Sequence, residues 1–209
     1  MSKNILVLAP HTDDGEFGCG ATIAHYVEQG ARVIYAAFSA AEQSVLPEFP
    51  RDILRREVKQ ATAVLGIEDK DCLVFDFDVR RFPEQRQEIL DKMIELQREI
   101  QPDMVFLPSI NDTHQDHKTI AEEGFRAFKR TTMLGYEVPW NNLDFRTSCF
   151  VALSENNLNL KINSLSKYKS QKHRNYASEE FVRSLAMTRG VQINKRYAEA
   201  FEVVRWVIN

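Results

Sequence analysis

Most of the information in this sequence is held in residues 5–20, ILVLAPHTDDGEFGCG. The run from Ile5 to Ala9 is short and apolar, which is typical of a strand buried on both faces inside a parallel sheet. Pro10 has no N–H to donate to a neighbouring strand, and we expect the strand to end there. Apolar residues at helical spacing predict a helix over residues 21–28. The stretch therefore predicts a strand, a turn and a helix at the start of an α/β fold.

The turn between this strand and this helix carries one imidazole and two carboxylates, His11, Asp13 and Asp14. In open α/β sheets, ligands bind at the carboxyl ends of the strands. Imidazole and carboxylate are the usual ligands of a catalytic zinc ion, which keeps one position open for water. His11 and one aspartate can bind such an ion, which leaves the other aspartate to accept a proton from the water. The alternative is an Asx-turn cap at a strand–helix junction, with a solvated His11.

A second apolar run carries a second cluster of the same kind. Residues 104–108, MVFLP, are apolar and end in proline, and His114, Asp116 and His117 follow them. Both clusters are expected at the same edge of one parallel sheet. Two such clusters at one edge favour a metal site over an incidental arrangement.

The rest of the chain continues the alternation of strands and helices, which implies right-handed parallel crossovers. Strands are predicted at residues 32–38, 72–77 and 104–108, and helices at residues 51–65, 84–100 and 117–129. The pattern is weaker from residue 131 onward, where it predicts strands at 133–138, 148–153 and 201–207 and helices at 157–173 and 178–188, with a break at 189–190.

The first segment resembles the Pro-His-x-Asp-Asp-x-x-x-Gly-x-Gly signature of the LmbE-like, or PIG-L-like, de-N-acetylases. The second resembles their His-x-x-His element, and the resemblance extends from residue 4 to about residue 205. It implies an α/β, Rossmann-like three-layer sandwich with a mostly parallel central sheet. No internal repeat, low-complexity segment or linker divides the chain, so we expect one de-N-acetylase-like catalytic domain over residues 1–209.

Taken position by position, the resemblance implies that one zinc ion per chain is bound by His11, Asp14 and His117. The commonest form of the first motif has proline and glutamate where this chain has Thr12 and Gly15. Neither position is a ligand. These departures therefore bear on the geometry of the turn and on substrate fit rather than on the chemistry.

Two further residues take catalytic roles by the same resemblance, and a third is placed beside them by its position in the sequence. Asp13 resembles the general base, and His114 resembles the histidine that stabilises the oxyanion and protonates the leaving amine. Asp116 is expected to orient and charge His114, because a carboxylate partner raises the pKa of a histidine. The implied function is zinc-dependent removal of an N-acetyl group from an amino sugar or a sugar conjugate of the N-acetylglucosamine type.

Substrate contacts are predicted on weaker grounds. Arg189 and Tyr197 belong to a C-terminal segment that resembles the family, but Tyr197 is equally suited to packing. Asn111 and Asp112 are either sugar contacts or, as is more usual for such residues, caps of the turn after the fourth strand. Trp140 is a candidate for stacking on a sugar face. The basic stretch over residues 161–174, which includes Arg174, either attracts a phosphorylated or nucleotide-linked substrate or forms a solvated helix face, and the pattern favours the solvated face.

Composition limits the classes of function and the compartment. The chain has 209 residues, 44% of them hydrophobic and 27% charged, with a formal net charge of −3. That charge gives no electrostatic reason to expect a nucleic-acid partner. We expect a cytoplasmic protein for three reasons. The three cysteines are well separated, no signal peptide is evident, and no apolar run is long enough to span a membrane. The sequence leaves open whether the protein is a homo-oligomer.

Three other functions remain to be weighed. A deacylase of a non-sugar amide would use the same residues. A nucleotide-binding module is disfavoured because Gly15, Gly18 and Gly20 do not have the Gly-x-Gly-x-x-Gly spacing. A metal-binding protein without catalysis is disfavoured because a structural site does not need the acid–base pair Asp13 and His114.

Overall fold

The structure is a computed structural model that describes residues 3–208. Within that range, seven strands form one sheet in the order β3-β2-β1-β4-β5-β7-β6. Neighbouring strands from β3 to β5 are parallel, and β7 is antiparallel to both β5 and β6. The strands are β1 (Asn4–His11), β2 (Arg32–Ser39), β3 (Cys72–Val74), β4 (Met104–Pro108), β5 (Thr132–Tyr136), β6 (Cys149–Ala152) and β7 (Ala198–Arg205). The predicted mostly parallel α/β sheet is confirmed.

Helices cover both faces of the sheet. They are α1 (Asp14–Glu28), α2 (Ile53–Val64), α3 (Arg86–Ile100), α4 (Gln115–Ala127), α5 (Glu155–Leu165) and α6 (Glu179–Val191). Side chains alternate along β1, so that Val7 packs with α1 and α2 and Leu8 packs with α3 and α4. Both faces of β1 are therefore buried, as its uninterrupted apolar run predicted. No helix in the described range is both long enough and apolar enough to cross a bilayer.

Two boundaries near the first motif differ from the prediction. Strand β1 continues through Pro10 to His11, because the register with β2 passes from Ala9↔Ala37 to His11↔Ser39 and skips the proline. Helix α1 begins at Asp14 rather than near residue 21. Its first turns are buried all round and include glycines, so they lack the amphipathic period on which the prediction relied.

Several other boundaries also differ from the prediction. Helix α4 begins before His117, and α5 ends at Leu165, short of the predicted residue 173. Strand β3 is three residues long, after which one isolated bridge joins Asp76 to Ser39. Helix α6 continues through Gly190, where an added Cβ would lie 2.7 Å from backbone carbonyl oxygens. That glycine permits close packing rather than ending the helix.

A buried ion pair supports a kink in α1. The helix is distorted at Cys19, with φ −146° and ψ 22°. In a regular helix the Ala21 N–H would donate to the Phe17 carbonyl. Here Lys161 Nζ donates to that carbonyl at 2.6 Å, and Glu199 accepts the Ala21 N–H at 3.2 Å. Lys161 and Glu199 pair at 2.6 Å, so Lys161 is buried and does not lie on a solvated face as predicted.

Candidate active site

The two sequence clusters meet at the carboxyl ends of β1 and β4, which are neighbours in the sheet. Asp14 is the first residue of α1, and its Oδ2 lies 3.0 Å from His11 Nδ1 and 3.2 Å from His117 Nε2. One ligand atom from each of these three residues lies within 4.8 Å of the other two. The structure thus brings together the three residues that the resemblance assigns to zinc.

Each of the two imidazoles has a second, buried carboxylate on its other nitrogen. Asp116 Oδ2 lies 2.9 Å from His11 Nε2, and Asp112 Oδ2 lies 2.7 Å from His117 Nδ1. Histidines that bind metals commonly donate their other N–H to a carboxylate, which fixes the tautomer and the ring orientation. Asp112 was predicted only as a sugar contact or turn cap, because sequence does not reveal that its carboxylate faces a residue of α4.

The charged groups of this cluster shift one another's pKa values. Burial lowers the pKa of His117, but the carboxylates of Asp14 and Asp112 outweigh that effect and raise the pKa to about 10. Burial likewise lowers the pKa of His11, yet Asp14 and Asp116 raise it to about 9. Burial raises the pKa of Asp14, whereas His117 and His11 bring it well below its usual value. A carboxylate between two imidazoles suits a divalent cation, which would take the place of the two ring protons.

A second grouping of potential ligands shares His11 and consists of His11, His114 and Asp116. Its carboxylate is already engaged, because Asp116 also accepts the N–H groups of Arg80 at 2.6 Å and Phe82 at 3.4 Å. The grouping around Asp14 has two outer carboxylates to support its imidazoles. It therefore fits a zinc ion better, with three protein ligands and room for a fourth.

Asp13 lies beside these ligands and lines the same cavity. Burial and the negative charge of Asp14 raise its pKa to about 6, and Arg174 and His11 partly oppose the rise. Among residues 3–208, no other side chain forms a hydrogen bond or ion pair with the Asp13 carboxylate. The group is thus free to exchange a proton with a molecule in the cavity.

The environment of His114 differs from the expectation. The Asp116 carboxylate faces His11, and only the backbone N–H of Asp116 reaches His114, donating to Nδ1 at 3.2 Å. Burial and the charges of His117 and His11 lower the pKa of His114. The expected contact between the Asp116 carboxylate and His114 is thus absent among the described residues. The Asp116 charge still raises the pKa of His114, but burial and the two other histidines outweigh it. The neutral ring accepts at Nδ1 and consequently carries its proton at Nε2.

The cavity has a volume of about 330 Å³. Its walls come from the loops after β1, β2, β3, β4 and β5 and from the segment after α5. The residues other than the His/Asp cluster are Thr12, Phe17, Ala41, Ser44, Leu54, Val79, Arg80, Trp140, Asn141, Gln171, Arg174 and Tyr176. Trp140 was predicted to line it, whereas Arg80 and Tyr176 were not singled out.

The three weaker predictions lie elsewhere. Arg189 pairs with Glu137 beside a small neighbouring cavity. Tyr197 packs in an apolar cluster with α5 and α6. The Asn111 N–H donates to Ser109 Oγ at 3.1 Å, in keeping with a turn. None of the three lines the cavity that holds His11.

A buried polar cluster supports the turn from below. The hydroxyls of Tyr35 and Tyr168 both contact the Thr12 carbonyl oxygen, at 2.9 and 2.6 Å, and both contact the Glu16 carboxylate. Glu16 is fully buried, and burial raises its pKa to about 8 despite hydrogen bonds from the two tyrosines. This support was missed because Tyr35 reads as one more apolar strand residue. Gly15 leaves room for the Tyr35 ring, since a Cβ at this position would lie 2.5 Å from that ring.

Fold and site together define an α/β protein with a candidate metal centre at the strand ends. The model of the family described as PIG-L: GlcNAc-PI de-N-acetylase matches residues 6–128. The chain belongs to this family, as its two motifs predicted.

Three similar proteins show how far the likeness extends. The uncharacterized deacetylase YaiS of Escherichia coli K12 is 27% identical over 176 residues, which cover 80% of this chain and 91% of YaiS. The N,N'-diacetylchitobiose deacetylase of Pyrococcus horikoshii superposes with a TM-score of 0.81 at 22% identity, covering 97% of this chain and 84% of its own. GalB, the 4-carboxy-2-hydroxymuconate hydratase of Pseudomonas putida KT2440, superposes with a TM-score of 0.80 at 21% identity, covering 99% and 98%. The two superpositions show the fold alone, and that fold is shared by a deacetylase and a hydratase.

Proposed function

We propose that the protein is a zinc-dependent N-deacetylase that removes the N-acetyl group of an amino sugar or sugar conjugate of the N-acetylglucosamine type. The observation that carries the proposal is the grouping of His11, Asp14 and His117 beside the free carboxylate of Asp13. Membership of a family described as a de-N-acetylase supports the reaction. The description of that family and the diacetylchitobiose deacetylase support a sugar substrate.

His11, Asp14 and His117 would hold the zinc ion, with Asp116 and Asp112 fixing the two imidazoles. When bound, zinc supplies Lewis-acid polarisation of the amide carbonyl and makes a nearby water more acidic. The residues of the chain supply the proton transfers and the orientation.

Asp13 accepts a proton from water as the water oxygen attacks the acetyl carbon. His114 is oriented to donate from Nε2 to the oxygen that becomes negative, because its Nδ1 is occupied by the Asp116 N–H. The C–N bond then breaks, and the proton on Asp13 is available to the leaving nitrogen. The products are acetate and a protonated amine, which together contain all the atoms of the amide and one water molecule.

Release of acetate tests this proposal. Zinc-loaded protein is incubated with N-acetylglucosamine, its methyl glycoside, its 1-phosphate and its nucleotide-linked form, and acetate is measured. Asp13→Asn should retain zinc and lose about 10²- to 10⁴-fold in rate, the usual contribution of a general base. Asp91→Asn, which alters an exposed carboxylate on α3, is the matched control and should retain full activity.

Two results would overturn the proposal. Full activity of Asp13→Asn with unchanged zinc content would remove Asp13 from the reaction. Inertness of the wild-type protein toward every N-acetyl sugar, together with hydration of a carbon–carbon double bond or hydrolysis of a non-sugar amide, would assign a different reaction to the same centre.

A further inference from the structure

Two guanidinium groups line the cavity without a carboxylate partner. Arg80 Nη2 donates to Ser44 Oγ at 2.9 Å, and Arg174 Nη1 donates to the Tyr176 hydroxyl. Neither arginine forms an ion pair with any carboxylate in residues 3–208. The chain pairs many of its other arginines; Arg189, for example, binds Glu137 at the edge of the neighbouring cavity.

The backbone at Arg80 is held in a conformation that non-glycine residues rarely adopt. Its φ is +68°, in the left-handed region. The Arg80 N–H donates at 2.6 Å to Asp116, which supports the candidate zinc ligand His11. Such conformations cluster at functional sites, where the surrounding structure maintains them. The root of the Arg80 side chain is thus fixed beside the reaction centre.

Arg174 lies against an aromatic wall of the same cavity. Its guanidinium carbon lies 5.6 Å from the centre of the Tyr176 ring. Tyr176 stacks on Trp140 with 3.8 Å between ring centres and 11° between planes, and Phe17 packs edge-on against both rings. The guanidinium donates one N–H to the Tyr176 hydroxyl and has further N–H groups that can bind a ligand.

The arrangement places a flat aromatic surface in the same cavity as two guanidinium groups that form no ion pair within residues 3–208. Guanidinium forks match the oxygens of phosphate and carboxylate. We propose that the substrate carries an anionic substituent, a phosphate or a carboxylate, which Arg80 and Arg174 bind while the sugar ring lies near Trp140. This inference rests on the proposed function and specifies its substrate class.

Binding of amines that cannot be deacetylated tests the inference without using activity. Calorimetry on the zinc-loaded protein compares methyl glucosaminide with its anionic counterparts, glucosamine 1-phosphate and carboxymethyl glucosaminide. At least one anionic ligand should bind about tenfold or more tightly than the methyl glycoside, as charge-assisted hydrogen bonds imply. The two anionic ligands distinguish phosphate from carboxylate.

Variants assign the preference to these two side chains. Arg80→Gln and Arg174→Gln should each lose about tenfold in affinity for the anionic ligand and less than twofold for the neutral one. Arg98→Gln removes an exposed guanidinium from α3, outside the cavity, and should change neither affinity. Anion binding that survives both cavity substitutions would locate the anion elsewhere, including on the zinc ion, and would overturn the inference.

Failure of the inference can be separated from failure of the proposed function. Equal affinity for neutral and anionic ligands would overturn the inference that the substrate carries an anionic substituent, even when acetate is released from neutral N-acetyl sugars. Anion preference that depends on both arginines, without acetate release from any N-acetyl sugar, supports the binding site and refutes the deacetylase. Equal loss of acetate release from neutral and anionic substrates in Arg174→Gln would instead mean that Arg174 acts on Asp13.

Discussion

At the scale of single residues, each candidate zinc-binding imidazole has a buried carboxylate on its other nitrogen. Asp116 contacts His11, which is 105 positions away in the chain, and Asp112 contacts His117. The first of these contacts joins the end of β1 to the start of α4.

The outer carboxylates should control zinc affinity. Asp116→Asn and Asp112→Asn should each weaken zinc binding about 10- to 100-fold, since a supporting carboxylate orients the imidazole and increases its basicity. The dissociation constant is measured by competition with a chelator, with Asp91→Asn as the control. Unchanged zinc affinity in Asp116→Asn, together with reduced activity, would restore the original interpretation that Asp116 serves His114.

At the scale of elements, the first turn of α1 is fitted to strand β2. Gly15 departs from the commonest family motif, and its absent Cβ leaves room for the ring of Tyr35. The Tyr35 hydroxyl accepts the Gly15 N–H at 3.0 Å and contacts the Thr12 carbonyl. The departure is therefore matched by a side chain on the neighbouring strand, which the sequence motif alone does not reveal.

Gly15→Ala should destabilise the protein and displace this turn. An added methyl group in a filled site costs about 1–3 kcal/mol, and here it would meet an aromatic ring. Gly124→Ala is the matched control, because its Cβ would lie 3.3–3.4 Å from the ends of two leucine side chains. Urea unfolding of zinc-loaded samples measures both. Equal free energies of unfolding for Gly15→Ala and the wild type would contradict the fit between Gly15 and Tyr35.

The kink of α1 depends on Lys161 of α5 and Glu199 of β7. Lys161→Met should cost about 3–5 kcal/mol, because it leaves a buried carboxylate without its counter-charge. Lys161→Met combined with Glu199→Gln should recover a large part of that loss, since no charge is then left buried and the amide oxygen can still accept one of the Ala21 and Thr22 N–H groups. A double-mutant cycle measured by urea unfolding tests the coupling. Strictly additive losses would contradict it.

At the scale of the whole molecule, the strands that are buried on both faces were easier to predict from the sequence than the half-buried ones. Residues 4–127 build four neighbouring parallel strands with local crossovers, and β1, β2 and β4, which are buried on both faces, have clear apolar runs. The C-terminal part closes the sheet with antiparallel strands and a half-buried edge, β6, whose pattern is weaker. A polar residue such as Lys161 reads as exposed until its partner on another element is known.

The candidate site was predictable to the same extent. His11, Asp14 and His117 could be predicted as a group, because they follow two parallel strands and parallel strands bring such ends together. The cavity wall was not predictable, since Arg174 and Tyr176 come from a segment far along the chain whose path no periodicity fixes. The fold leaves the reaction open as well, because a hydratase has a similar fold.

The central claim is that one zinc ion is bound by His11, Asp14 and His117. The most direct test is anomalous diffraction at the zinc edge from crystals grown with zinc. The account predicts one strong peak at about 2.0–2.2 Å from an imidazole nitrogen of His11, from one of His117 and from an Asp14 oxygen. A peak coordinated by His114 and Asp116 instead, or no peak at this end of the sheet, would contradict it.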